Sequence, residues 1–146
     1  MAVFSLSDLS KNLSGSHVIG TAVFSHLSTD TRSLSAGDLF VALVGPNFDG
    51  HEFISQAQNQ GACAALVSTE IDTDLPLIVV PDTRIALGQL AAIKRQSLNG
   101  QFVAVTGSSG KTTVKEMLQK VLFQAGEVEV TQGNFNNDIG VPLTLW

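Results

Sequence analysis

Residues 106–113 read Thr-Gly-Ser-Ser-Gly-Lys-Thr-Thr, a glycine-bounded run that ends in one lysine and two hydroxyls. These residue types suit a phosphate. Where a loop opens a helix, the unpaired N–H groups of the first turn and the positive end of the helix dipole point at one spot, and an anion there is stabilised. Gly107 and Gly110 let the backbone curl close, so that the N–H groups from Ser108 to Thr113 can cradle phosphate oxygens. Lys111 adds a mobile positive charge for the terminal phosphates, and the Thr112 hydroxyl is placed to hold a phosphate-bound Mg2+. The expected ligand is ATP. The long form of the pattern, G-x-x-x-x-G-K-[ST], would need glycine at position 105, where the chain has Val105, so the turn begins later than that form requires. The bland alternative is a glycine turn between a core strand and a solvated helix start. A lysine in the first turn argues against it, because it opposes the helix dipole unless an anion answers it.

The elements that must position this loop follow from periodicity. Phe102, Val103 and Val105 predict a buried strand before it, and Val114, Met117, Leu118, Val121 and Leu122 predict a helix after it, over 113–125. Upstream, the spacing predicts a short helix over 5–13, strands over 39–44, 62–67 and 77–80, and a helix over 51–60 with Phe53, Ile54 and Ala57 inward. Pro81-Asp82-Thr83 breaks the pattern and can cap a further helix over 84–98, with an apolar stripe of Ile85, Leu87, Leu90, Ala91 and Ile93. Strands alternating with helices imply an α/β fold with parallel pairing. Two units are expected, residues 1–82 and an incomplete second unit over 83–146, divided at Pro81-Asp82-Thr83. Beyond the loop helix the reading gives a short strand over 127–131 and a polar turn, Gly133 to Gly140. A parallel nucleotide sheet needs more strands, and its metal needs an acidic partner. The 146 residues are therefore expected to be the N-terminal part of a longer enzyme and inactive alone.

Composition narrows the partners. With 8 Lys+Arg against 13 Asp+Glu the chain is mildly acidic, which disfavours a surface that neutralises nucleic-acid phosphates. The single cysteine, Cys63, rules out an internal disulfide. Neither a basic-then-apolar leader nor an 18-residue apolar run is found, so a soluble cytoplasmic protein without membrane insertion is expected; separately, a monomer is expected. His17 and His26 fall in no motif.

Several segments together resemble the ATP-dependent Mur ligases of bacterial peptidoglycan synthesis. They are Ser28-Thr29-Asp30-Thr31-Arg32, Gly37 to Leu43, Asp49-Gly50-His51-Glu52-Phe53, Gly61-Ala62, the loop Thr106 to Thr113 with Val114-Lys115-Glu116, and Gly133 to Asn137 with Ile139-Gly140-Val141-Pro142. The late-starting phosphate loop is the form this family uses. The last segment and Val-Lys-Glu are most like the branch that adds D-alanyl-D-alanine, while the branch adding the third peptide residue shares the first segments.

The resemblance implies an N-terminal α/β domain that holds UDP-N-acetylmuramoyl-tripeptide, then the start of a phosphate-loop ATP domain, with a later domain that brings D-alanyl-D-alanine. ATP would phosphorylate the tripeptide's terminal carboxylate, and the dipeptide's amine would attack the acyl phosphate. Lys111 would neutralise the transferring phosphoryl group and Thr112 would hold Mg2+, while Gly107, Ser108, Ser109, Gly110, Thr113 and Asn137 would complete the nucleotide site. Ser28, Thr29, Thr31, Arg32, Asn47, Asp49, Gly50 and His51 would hold the UDP part. Without the family, Ser-Thr-Asp-Thr-Arg is a polar turn, Asp49-Gly50 a helix entry, and the Asn134, Asn136 and Asn137 group equally a set of turn residues. Two rival readings are another phosphate-loop enzyme, such as a small kinase, and a module that binds the UDP-sugar peptide or a nucleotide without catalysis.

Overall fold

A computed structural model describes residues 3–133, 135 and 137–146. Asn134 and Asn136 lie outside the described residues. The chain begins with strand β1 (Phe4–Ser5) and helix α1 (Leu6–Ser10), whose first turn is capped by Ser5 Oγ accepting from Asp8 N at 3.1 Å. There follow β2 (His17–Ile19), β3 (Val23–Phe24), β4 (Leu27–Ser28), a 3-10 turn at Thr31–Ser33 and β5 (Leu39–Val41). A small hairpin, β6 (Val44–Gly45) and β7 (Phe48–Asp49), leads through a second 3-10 turn at Gly50–Phe53 into α2 (Ile54–Asn59). Then come β8 (Ala64–Val67), β9 (Leu77–Val79) and α3 (Thr83–Ser97). The last two helices are α4 (Lys111–Leu122) and α5 (Gly140–Thr144).

The main sheet has five strands in the order β2-β9-β8-β5-β4. Pairing is parallel from β4 through β5 and β8 to β9, as the alternating pattern implies. Its edge corrects the expectation of purely parallel pairing, because β2 runs antiparallel to β9, with His17 opposite Val79. Strand residues alternate between two cores. Leu39, Val41, Leu66 and Ile78 face a layer built from α1 and α3, while Phe40, Ala65, Val67, Leu77 and Val79 face α2 through Ile54 and Ala57. Helices on both faces explain why these strands are continuously apolar.

Helix α3 starts where Asp82 Oδ1 accepts from Arg84 N at 2.8 Å and Ile85 N at 3.0 Å. Its buried stripe is Ala86, Leu87, Leu90, Ala91 and Lys94, at spacings of three and four. Ile85 lies off that stripe and is exposed, as is Phe53 at the entry to α2, so both expected inward positions are corrected. The packing also groups α3 with the first sheet, whose core contains Ala86, Leu87 and Leu90, although the expected boundary puts this helix in the second unit.

The largest departure concerns residues 102–105 and 127–131, which periodicity predicts as strands and which have no regular structure. A strand exists through its ladder partners, and among the described residues neither segment has one. Phe102 and Val103 are accordingly exposed. Helix α4 does form, yet it buries none of its residues, and Val114, Met117 and Val121 of its apolar stripe face outward.

The end of the chain returns to the first unit. Arg84 on α3 pairs with Asp138 through its Nε and through a second nitrogen 2.7 Å from Oδ1. The Trp146 ring lies 5.0 Å from Phe4 and 5.6 Å from Phe24, with Lys94 Nζ 4.7 Å from its centroid. A carbonyl can only accept, so His26 Nδ1 donates to Trp146 O at 3.0 Å.

Candidate nucleotide and substrate sites

Parallel α/β sheets place their loops, and so their ligands, outside the carboxyl ends of the strands. The first group of candidate residues lies at that edge. Ser28 ends β4, Asp49 ends the hairpin that follows β5, Gly50 and His51 come directly after it, and Ser68 follows β8. The sheet thus draws together segments 28–32, 47–51 and 68, which are far apart in sequence.

Within segment 28–32 the side chains divide. Ser28 and Thr31 are buried, and the Ser28 hydroxyl donates to Asp30 O at 2.9 Å, so Ser28 shapes the turn from inside. Asp30 caps the 3-10 turn by accepting from Arg32 N at 2.9 Å, and it grips the Arg32 guanidinium through Nε and through a 2.6 Å bond to Oδ2. The Arg32 guanidinium, with help from the Arg32 backbone N–H, holds the Asp30 carboxyl down at about 2. Thr29 is half-buried and Arg32 exposed, which leaves these two with faces toward solvent.

The second segment hinges on His51. Ser68 N donates to His51 Nε2 at 2.9 Å, and a backbone N–H cannot accept, so in the neutral ring the proton sits on Nδ1. Nδ1 then donates to Asp49 Oδ1 at 2.5 Å, an oxygen that also accepts from His51 N at 2.9 Å. These two His51 bonds, the backbone one first, hold the Asp49 carboxyl below the usual carboxylate range. With both ring nitrogens engaged, His51 is a strut between the hairpin and the end of β8. Ser68, absent from the sequence-derived set, could have been picked out only as the residue that follows a parallel strand. Gly50 N donates to Leu43 O at 2.8 Å, and a Cβ on Gly50 would stand 2.7 Å from that same oxygen. Only glycine lets the hairpin close this tightly. Asn47, at the hairpin tip, is exposed.

The second site is the loop before α4. Gly107 and Gly110 both have positive φ, 152° and 77°, which allows the chain to curl into the helix. Gly110 takes the N-cap position, and no side chain bonds the first-turn N–H groups. Nothing lies within 4 Å of a Cβ built on Gly110. Ser108, Ser109, Thr112 and Thr113 are exposed, and the Lys111 ammonium donates back to Gly107 O across the loop. A lysine folded onto its own loop, beside an uncapped helix mouth, fits a phosphate that would recruit both. Thr112 offers a hydroxyl for a divalent cation, while no cluster of three His, Cys, Asp or Glu suited to a metal occurs among the described residues. Asn137 also differs from expectation in detail. Its Oδ1 accepts from Gly140 N at 2.7 Å and Ile139 N at 3.2 Å, closing the turn that leads into α5, so its amide nitrogen is the group it can offer a ligand.

Comparison with known proteins gives this geometry a family. Residues 23–95 match the model described as "Mur ligase family, catalytic domain", and residues 105–146 match "Mur ligase middle domain". The UDP-N-acetylmuramoyl-tripeptide–D-alanyl-D-alanine ligase of Escherichia coli K12 is 50% identical over 145 residues, covering 99% of this chain and 32% of the relative. A crystal structure of MurF from Acinetobacter baumannii superposes with a TM-score of 0.84 at 39% identity, over 96% of this chain and 31% of that one. The MurF ligase of Thermotoga maritima in complex with ADP gives 0.74 at 37% identity, over 82% of this chain and 28% of that one. The chain spans about a third of the length of the curated relative it matches end to end. Among the described residues no helix is long and apolar enough to cross a membrane. On sequence, fold and loop geometry alike, the chain belongs to the Mur ligase family.

Proposed function

We propose that this chain is the UDP-substrate unit and the opening of the ATP unit of a cytoplasmic ligase that adds D-alanyl-D-alanine to UDP-N-acetylmuramoyl-tripeptide. The observation that carries the reading is one relative of that stated activity, 50% identical over a 145-residue match that spans both candidate segments. Segments 28–32 and 47–51 hold the UDP part at the carboxyl edge of the sheet, with Thr29, Arg32 and Asn47 turned outward and His51, Gly50 and Asp49 fixing the loop. The phosphate loop holds ATP. We place the division between the units in the stretch after α3, because α3 shares the first core.

The chemistry required is transfer of the γ-phosphoryl group to the tripeptide carboxylate with ADP leaving, then attack of the dipeptide amine on the acyl carbon with loss of phosphate and a proton. Most of the protein's contribution is positioning and charge neutralisation. Lys111 leaves the Gly107 carbonyl for the phosphates and meets charge that develops during transfer. The N–H groups from Ser108 to Thr113 cradle the oxygens. Bound Mg2+ would neutralise phosphate charge, with the Thr112 hydroxyl as this chain's ligand to it.

The test uses the full-length enzyme. Lys111→Ala should lower kcat by roughly 100- to 1000-fold while the KM for the UDP-substrate stays nearly constant, as expected when one contact to developing charge is lost. Turnover with D-alanyl-D-alanine, and none with a single diamino acid, separates this activity from the ligase that adds the third residue. Normal turnover in Lys111→Ala would end the nucleotide-site reading.

A further inference from the structure

Lys115, one turn beyond Lys111 on the same face of α4, is the other lysine near the phosphate loop, and its ammonium is committed elsewhere. Its Nζ donates to Thr131 O at 2.6 Å and reaches Gly133 O at 3.4 Å, across 16 and 18 residues of sequence. These two carbonyls flank Gln132, whose own carbonyl accepts from Phe135 N at 3.0 Å and closes a turn. Four residues beyond Gly133 stands Asn137, whose Oδ1 accepts from Gly140 N at 2.7 Å in the turn that opens α5. Residues 127–132 have no regular structure, so no ladder of backbone bonds places this stretch beside α4. A half-buried cation bonded to neutral carbonyls is a strong, oriented tether.

We propose that Lys115 is a positioning residue: by gripping the Thr131 and Gly133 carbonyls from the phosphate-loop helix, it fixes where the Asn137 segment stands relative to the phosphate loop. The two lysines thus divide the work. Lys111 has only its own loop to release before it meets a phosphate, whereas Lys115 cannot serve a phosphate without letting the 131–133 stretch go. Lys115 acts on the nucleotide through Asn137 and not by touching it. The inference rests on the nucleotide-site reading above.

The experiment compares Lys115→Met, Lys115→Arg and Lys111→Ala in the full-length ligase, with thermal melting as the folding control. Loss of a charge-assisted tether should raise the KM for ATP about tenfold or more in Lys115→Met, with the KM for the UDP-substrate unchanged. Lys115→Arg, which keeps the charge and the donors, should recover most of that loss. An unchanged KM for ATP in Lys115→Met, an equal rise in both KM values, or an arginine variant no better than methionine overturns the proposal. If Lys115→Met does not fold, Lys115→Gln, which is too short to span both carbonyls, takes its place in the comparison, and the same three results overturn the proposal. A normal kcat in Lys111→Ala would instead bring down the underlying nucleotide-site reading, while a slow Lys111→Ala with an unaffected Lys115→Met removes this inference alone.

Discussion

The α/β layers up to α3 and the stretch from Phe102 to Gly133 have similar apolar patterns and opposite fates. In the first, Leu39, Leu66, Ile78, Leu87 and Leu90 close a core on one face of a paired sheet. In the second, Phe102, Val103, Met117 and Val121 stay exposed, although their spacing is as regular. The difference is partnership. A helix satisfies its backbone within itself, so α4 forms without a neighbour, whereas a strand needs a second strand for its hydrogen bonds. The candidate phosphate loop consequently rests on one formed element, α4, while the loops of the candidate UDP site rest on a fully paired five-stranded sheet.

The largest effect should come from the core. Leu87→Ala should destabilise the 146-residue chain by about 2–5 kcal/mol in urea unfolding, since it removes a fully buried side chain. Val121→Ala, in the exposed stripe of α4, should stay within about 0.5 kcal/mol. Equal losses would erase the contrast between the two regions.

A smaller effect is expected at Gly50, where the packed unit meets the candidate site. Gly50→Ala puts a Cβ against the Leu43 backbone, which cannot retreat as a flexible side chain would, and should cost about 1–3 kcal/mol. It should also raise the KM for the UDP-substrate in the full-length enzyme, because the Asp49–His51–Ser68 strut depends on that turn. A variant as stable as the parent with an unaltered KM would detach the hairpin from the site.

The smallest effect concerns pH. Asp30 has a folded pKa of about 2, below its ordinary value near 3.9, so its contribution is present above that ordinary value and is lost as pH falls toward 2. Because the Arg32 side chain is 86% exposed, water and salt screen the pair. Asp30→Asn should therefore flatten the acid limb of stability between about pH 4 and 2 only slightly. A large change there would mean that the turn is more deeply coupled to the core than its exposure suggests.

Much of the fold is legible in the chain's own pattern. The helix opening at Lys111 follows from Gly-Lys-Thr-Thr and its periodicity, and α3 follows from the Pro81-Asp82-Thr83 break and the stripe behind it. Strands β5, β8 and β9 are legible because buried parallel strands are apolar throughout. Their pairing is less so. The antiparallel edge strand β2, His-Val-Ile, is too short to announce itself, and Ile85 has the look of a core position until the phase of α3 is set by its partners.

For the sites, the sequence by itself marked a glycine-bounded lysine and hydroxyls suited to a phosphate, while the polar turns after strands were linked to the UDP part only through the family resemblance. Local rules suffice there, since caps, glycine turns and helix mouths depend on a few neighbouring residues. The tertiary structure alone decided what those residues are free to do. It buried Ser28 and Thr31 and closed the second His51 nitrogen onto Ser68, whereas the Asp30–Arg32 pair and the Asn137 turn join residues two or three apart. Ser68 lies 17 residues from His51, and Thr131 lies 16 from Lys115. No periodicity spans such separations; they are closed only when the chain folds.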